Sequence, residues 1–180
     1  MEEYIEESGM KFGPFPAETV FHIEKSPQYT VMQHGMRITE FIYFNKEKLQ
    51  LISLEAKKTA PNPNSISEQV DNPKEVFQKY ISDIREKFEN SLDLYTNLAL
   101  KKDLPEEFKT IDYNKVQVVF MLVIKKHKRE WLKDIKDALE MAIRSVHRTN
   151  KIWKCKVLVI NEEMAYKNHL IKDINSSQST

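Results

Sequence analysis

The chain has 180 residues, of which 41% are hydrophobic and 31% charged, and its 28 basic and 27 acidic side chains leave a formal charge of +1. This length suits one domain with a sizeable core. The near-zero charge excludes a global field that would draw the protein onto nucleic acid or an anionic membrane, so any site for a polyanion must be local.

The scarcity of certain residue types excludes several classes of site. Cys155 is the only cysteine, which excludes an internal disulfide and a cysteine-based zinc cluster and predicts a buried thiol in a cytoplasmic protein. The three glycines, Gly9, Gly13 and Gly35, cannot form a glycine-rich nucleotide loop. No apolar run approaches the ~20 residues that cross a bilayer, and no secretory layout opens the chain, so we expect no membrane contact.

The first third of the chain predicts short strands. Residues 13–16 are typical of a turn, and 20–24 have the composition of a short strand. Residues 36–44 and 49–57 predict a hairpin around the polar stretch 45–48.

The rest of the chain alternates helices with strands. The proline- and asparagine-rich residues 59–72 predict a surface loop, after which apolar residues at three- and four-residue steps predict a long helix up to residue 101. Residues 115–124 predict a central strand and 152–160 a further strand. The helix between them has an apolar stripe that ends near Asn150, and a short helix over 162–170 follows. Trp131 and Trp153 occupy apolar positions and are expected in the core.

These elements predict an α/β fold with a mixed β-sheet sandwiched by helices. Their order is βββαβαβ, and strands alternating with long helices favour right-handed crossovers. We expect one domain over residues 1–174 and a frayed tail over 175–180.

The hairpin contains the chemically informative residues. A loop at 45–48 would pair Phe44 with Leu49 and so place Glu40 opposite Ser53, on the same face as Glu55 and Lys57. Glu40 and Glu55 would then be diagonal neighbours, with Cα atoms roughly 7 Å apart.

Two converging carboxylates would repel each other, and either a divalent cation or a nearby lysine, here Lys57, would relieve that repulsion. Glu40 and Glu55 therefore predict a site for Mg²⁺ or Mn²⁺, with the Ala56 carbonyl as a further hard oxygen ligand. Lys57 would orient an attacking water or stabilise the charge that builds at phosphorus. The other interpretation is a solvated strand end where Glu55 and Lys57 form a weak ion pair.

Glu40 on one strand and Glu55-Ala56-Lys57 at the end of the next, followed by a loop and a long helix, resemble the signature of the PD-(D/E)XK, restriction-endonuclease-like nuclease superfamily. The resemblance implies a mixed αβββαβ core and magnesium-dependent nuclease activity, with both acids on the metal and Lys57 assisting the water. It also implies an additional acid near the first strand, for which Glu24 is the candidate. A restriction-endonuclease-like domain that binds protein or nucleic acid without cutting remains the alternative.

Lysines near this signature are candidates for phosphate contacts. Lys58 adjoins Lys57, and Lys125, Lys126 and Lys128 form the densest basic cluster, where a strand leads into a helix. Such a cluster is also typical of a solvated loop. Nucleic acid is therefore the expected partner, and the sequence leaves a homodimer open.

Overall fold

The computed structural model describes residues 1–31, 36–62, 72–145 and 152–172, and within them the fold is mixed α/β, as predicted. The described strands are β1 Glu2–Glu7, β2 Met10–Pro16, β3 Val20–Phe21, β4 Phe41–Asn45, β5 Gln50–Lys57, β6 Gln117–Ile124 and β7 Lys156–Asn161. The described α-helices are α1 Pro27–Val31, α2 Pro73–Leu100, α3 Glu106–Lys109, α4 Leu132–Arg144 and α5 Glu162–Lys167.

The main sheet has the strand order β3-β4-β5-β6-β7. β3, β4 and β5 pair antiparallel, whereas β5, β6 and β7 run parallel to one another. The carboxyl ends of the three parallel strands therefore meet along one border of the sheet. We call this border, with the residues that directly follow the strands, the carboxyl edge.

One face of the sheet is covered mainly by a hairpin that the sequence did not indicate, so the prediction of a sheet sandwiched by helices is wrong for most of this face. β1 and β2 pair antiparallel, and their inward side chains Ile5, Met10, Phe12 and Phe15 pack on buried residues of the main sheet. The turn expected at 13–16 is wrong, because Gly13 and its neighbours lie within β2. A Cβ on Gly13 would come within 2.7 Å of the Glu3 carbonyl oxygen, so this close strand approach requires glycine.

The opposite face is covered by α2 and α4. The long predicted helix is confirmed as α2, which begins with Pro73 after Asn72, whose side chain accepts the Glu75 backbone N–H. Its buried side chains pack with those of α4 on β6, giving the sheet a core on both faces.

Several predicted boundaries differ from those observed. The strand expected at 20–24 is reduced to β3, and those expected to begin at 36 and 152 begin at Phe41 and Lys156. Most of the predicted 59–72 loop, the end of the helix near residue 150 and the tail over 175–180 lie outside the described residues. None of the helices in the described segments combines the length and apolar character that a bilayer span requires.

Candidate functional site

The β4–β5 hairpin differs in register from the sequence prediction. Phe44 pairs with Leu51 and not with Leu49, because the turn occupies residues 46–49 and Leu49 adopts a left-handed φ of 48°. The side chain of Asn45 accepts a hydrogen bond from the backbone N–H of Lys48 and closes this turn. A shift of two residues preserves which face each β5 side chain occupies, so Ser53, Glu55 and Lys57 still share a face.

Glu40 lies in a bend immediately before β4. Its N–H donates to the Leu54 carbonyl at 3.0 Å, while Phe41 also pairs with Leu54. The regular alternation of side chains is therefore interrupted here, and the Thr39 hydroxyl, not Glu40, lies beside Ser53 at 2.8 Å. The predicted pairing of Glu40 with Ser53 is wrong.

Glu55 is the most constrained charged residue of the carboxyl edge. Its side chain is 0% exposed, and its Oε1 atom accepts a hydrogen bond from the Lys87 ammonium at 2.7 Å and forms an ion pair with the Lys57 ammonium at 2.6 Å. Its Oε2 atom is buried and has no hydrogen-bond partner among the described residues. One oxygen thus contacts two cations, while the other is buried without a partner among the described residues.

Lys87 reaches Glu55 from α2. Burial by itself would lower the pKa of Lys87, but the charge and hydrogen bond of Glu55 raise it above its ordinary value. The ammonium therefore stays protonated and neutralises the buried carboxylate. A weak signal for this role is that Lys87 borders the apolar stripe of α2 beside Phe88.

The carboxyl groups of Glu40 and Glu7 lie close to each other and to Glu55. Burial, followed by the negative charges of Glu55 and Glu7, raises the pKa of Glu40 to about 7. The two side chains share a hydrogen bond, which opposes the raised pKa of Glu7. Glu40 and Glu55 thus repel each other as predicted, and Glu7 adds a third acid.

Glu7 is the last residue of β1 and directly precedes the β1–β2 turn, which covers the end of β5. The Ser8 hydroxyl donates to the Ala56 carbonyl at 3.0 Å, so this expected metal ligand already accepts one hydrogen bond. Glu24 is exposed in a 3₁₀ turn after β3, and its charge is the second cause, after burial, that raises the pKa of Glu7. Pairing of β1 with β2 brings Glu7 here, and no local sequence pattern indicated it.

Lys58, Lys125 and Lys126 lie together at the carboxyl edge. The backbone N–H groups of Lys125 and Lys126 donate to the carbonyls of Lys57 and Lys58 at 2.8 and 2.9 Å, extending the β5–β6 pairing beyond the strands. The Lys125 ammonium donates to the Gly9 carbonyl at 2.6 Å. The structure therefore brings the predicted basic residues of both strands to one border.

Lys128 lies farther along the same segment, with its ammonium 4.8 Å from the centroid of the Trp131 ring. Trp131 is half-buried and, among the described residues, belongs to none of the three buried clusters, so its expected core position is wrong. Trp153 does pack against the cluster beneath α4, as predicted.

Two further buried polar groups border the site. Tyr80, on the same side of α2 as Lys87, has a buried hydroxyl without a hydrogen-bond partner in the described chain, and burial together with the Glu55 charge raises the pKa of Tyr80. Glu162 begins α5 at the end of β7. Burial raises its pKa, and the charges of Lys125 and Lys126 oppose that shift.

The donor set suits a cation that takes few protein ligands. Within the described segments, no three acidic, histidine or cysteine side chains are arranged to hold a metal together. Mg²⁺ commonly binds through one or two carboxylates and keeps several waters, so the free Oε2 of Glu55 and the crowded carboxyl of Glu40 fit such an ion. The apolar cleft between α2 and α4, of about 480 Å³, contains none of these acids.

We compared the chain with family models, curated proteins and solved structures, and none of the three comparisons found a match. The geometry of the carboxyl edge is therefore what indicates a function for this protein.

Proposed function

We propose that this protein is a magnesium- or manganese-dependent nuclease that hydrolyses phosphodiester bonds in DNA or RNA. The observation that carries the proposal is the fully buried Glu55, held through Oε1 by Lys57 and Lys87, with Oε2 unpartnered among the described residues. Burying a charged triad costs several kcal/mol of desolvation and seldom stabilises a fold better than apolar residues would. A buried group of charged side chains is therefore more typical of a binding or catalytic site than of a structural core.

Glu40 and Glu55 are the proposed metal ligands. A divalent cation between them would remove the repulsion that contributes to the raised pKa of Glu40, and would satisfy the free oxygen of Glu55. The Ala56 carbonyl, which retains a second lone pair beside its bond from Ser8, and the exposed Glu24 are the proposed additional ligands. When bound, the cation would polarise the phosphate and make the attacking water more acidic.

Lys57 is the proposed catalytic lysine. It lies on the face of β5 that contains Glu55, and about a third of its side chain is exposed, so its ammonium has access to a substrate. A fixed positive charge at this position favours the negative charge that develops on the phosphoryl oxygens. Lys87 is more buried and holds Glu55 in place, as a positioning residue.

The arrangement of the main sheet supports the resemblance to restriction-endonuclease-like nucleases. Strands β3, β4 and β5 are antiparallel neighbours, α2 follows, and β6 returns parallel to β5. The acidic and basic groups gather at the carboxyl ends of parallel strands, where ligands of open α/β sheets bind. Lys58, Lys125, Lys126 and Lys128 are the proposed phosphate contacts, because they supply a local positive surface on a protein of near-neutral charge.

Cleavage assays with single-stranded, double-stranded and branched DNA and RNA test this function. We expect cleavage with Mg²⁺ or Mn²⁺ and no cleavage with EDTA. The cleavage rate of Lys57→Ala should be lower than that of the wild type by about a hundredfold or more. Lys48→Ala, which removes an exposed lysine at the other end of the hairpin, should retain full activity. Equal cleavage by wild type and Lys57→Ala from identical purifications would indicate a contaminant and contradict the proposal.

A second candidate function is binding of nucleic acid or protein without cleavage. It is favoured by the saturation of Glu55 Oε1 by two lysines and by the lack of a three-ligand metal group in the described chain. Binding of nucleic acid that needs no divalent ion, with no cleavage of any substrate, would favour this candidate over the enzyme.

A further inference from the structure

Trp131 presents an aromatic surface within a basic segment. It ends the 3₁₀ turn Arg129–Trp131 that leads from β6 into α4, and its side chain is half-buried. The His127 ring approaches it edge-on, with centroids 5.5 Å apart and planes at 67°. The Lys128 ammonium lies over the ring at 4.8 Å. A large aromatic outside the described core clusters, with a lysine ammonium over its face, has the composition of a surface that binds nucleic acid.

This surface continues directly from the proposed active site. The N–H of Lys126 donates to the Lys58 carbonyl at 2.9 Å, so the segment that contains Trp131 starts beside Lys57 and Lys58. Only a few residues separate Lys126 from Trp131. A strand bound through its phosphates along the carboxyl edge would therefore pass both the acids and this ring.

The present contact with Lys128 does not prevent an aromatic ligand from using the ring. An exposed cation–π contact changes an equilibrium by about two- to fivefold. Stacking of one nucleic-acid base on an aromatic side chain changes it by about 5- to 150-fold. A base would therefore displace Lys128, and the released ammonium is close enough to pair with an adjoining phosphate.

We propose that Trp131 is a stacking platform for an unpaired base, and that the site consequently binds single-stranded nucleic acid in preference to duplex. Lys126 and Lys128 would hold the phosphates beside that base. In a duplex the faces of the bases are already stacked on one another, whereas a single strand can place a base on the indole. This inference rests on the proposed function, because it names the substrate class of the same site.

Tryptophan fluorescence tests the platform without any cleavage. The chain has two tryptophans, so Trp153→Phe leaves Trp131 as the only indole. In EDTA, we expect a 12-nucleotide oligothymidine to quench its emission strongly and a 12-base-pair duplex to quench it weakly. Trp131→Ala should weaken binding of the oligothymidine by about 5- to 150-fold, and Trp131→Phe should retain most of the affinity.

The outcomes separate this inference from the nuclease proposal. Absence of quenching by the single strand, equal quenching by the duplex, or unchanged affinity in Trp131→Ala would overturn the platform, whether or not the protein cuts. A far-UV spectrum of Trp131→Ala and the retained affinity of Trp131→Phe control for misfolding. In the Trp153→Phe background, quenching of Trp131 by the single strand that persists after Lys57→Ala supports the platform independently of catalysis. The same quenching in a protein that cuts no substrate would support the platform while the nuclease proposal fails.

Discussion

Two glutamates at opposite ends of the parallel strands each contact two cationic side chains, yet their surroundings differ. Glu55 at the carboxyl edge is 0% exposed and contacts Lys57 and Lys87 at 2.6 and 2.7 Å. Glu140, near the amino ends of β6 and β7, is 27% exposed, and its partners lie at 3.4 to 3.6 Å. Surface pairs such as those of Glu140 contribute little, whereas a buried charge depends on its partners. The number of ion pairs therefore does not identify the site, but burial does.

Replacing the cationic partners of each glutamate should produce the largest difference in stability between the two sites. We expect Lys57→Met with Lys87→Met to lower the free energy of unfolding by about 3 to 5 kcal/mol at pH 7, because Glu55 would keep a buried charge without a partner. The matched pair Lys136→Met with Arg144→Met should cost less than about 1 kcal/mol. Urea denaturation measures both, and equal losses would contradict the contrast.

Titration of Glu40 should produce the next largest change in the free energy of unfolding. Its folded-state pKa of about 7 exceeds the ordinary 4.5, so the stability it contributes is fully present below pH 4.5 and is lost as the pH rises toward 7. Glu40→Gln removes this loss and should make the protein more stable than wild type by about 2 kcal/mol at pH 8, after allowance for solvent screening. At pH 4 the two proteins should unfold alike. Urea unfolding of the wild type and of Glu40→Gln across this pH range checks the sign, and a difference in stability that does not grow between pH 4 and pH 8 would contradict it.

Magnesium should stabilise the carboxyl edge selectively. At ten times its dissociation constant, Mg²⁺ should raise the free energy of unfolding of the wild type by about 1.4 kcal/mol. Glu55→Gln should lose this gain, while Glu140→Gln should keep it, in thermal melts matched for ionic strength. A gain that persists in Glu55→Gln would place the ion elsewhere.

The hydrogen bond from Ser8 to the Ala56 carbonyl should have the smallest effect. Ser8→Ala should cost about 1 kcal/mol, because it frees a part-buried carbonyl at the end of β5. Ser145→Ala removes an exposed hydroxyl that bonds within its own helix end, and should change stability by less than about 0.5 kcal/mol. Indistinguishable midpoints for the two variants would mean that the β1–β2 turn adds no stability at this edge.

Much of the fold follows from local pattern. The periodicity of α2, the apolar run of β6 and the paired halves of the β4–β5 hairpin were predictable, because each element buries its own repeating face. The β1–β2 hairpin was not, since its charged outward residues mask the inward apolar ones. Its Gly13-Pro14 pair also resembles a turn. The predicted register of the β4–β5 hairpin was wrong by two residues, because Leu49 adopts a left-handed conformation that composition does not reveal.

The sequence by itself determined the chemical types available: an acid before one strand, Glu55-Ala56-Lys57 at the end of the next, and lysines after β6. Only the tertiary structure decided which of them meet. Lys87 reaches Glu55 from α2, Glu7 bonds Glu40 from a hairpin more than thirty residues away, and Trp131 lies outside the described core clusters. The physical reason is that a periodic pattern specifies the face of one element. The approach of a side chain from another element depends on how the two pack, and packing involves residues far apart in the chain.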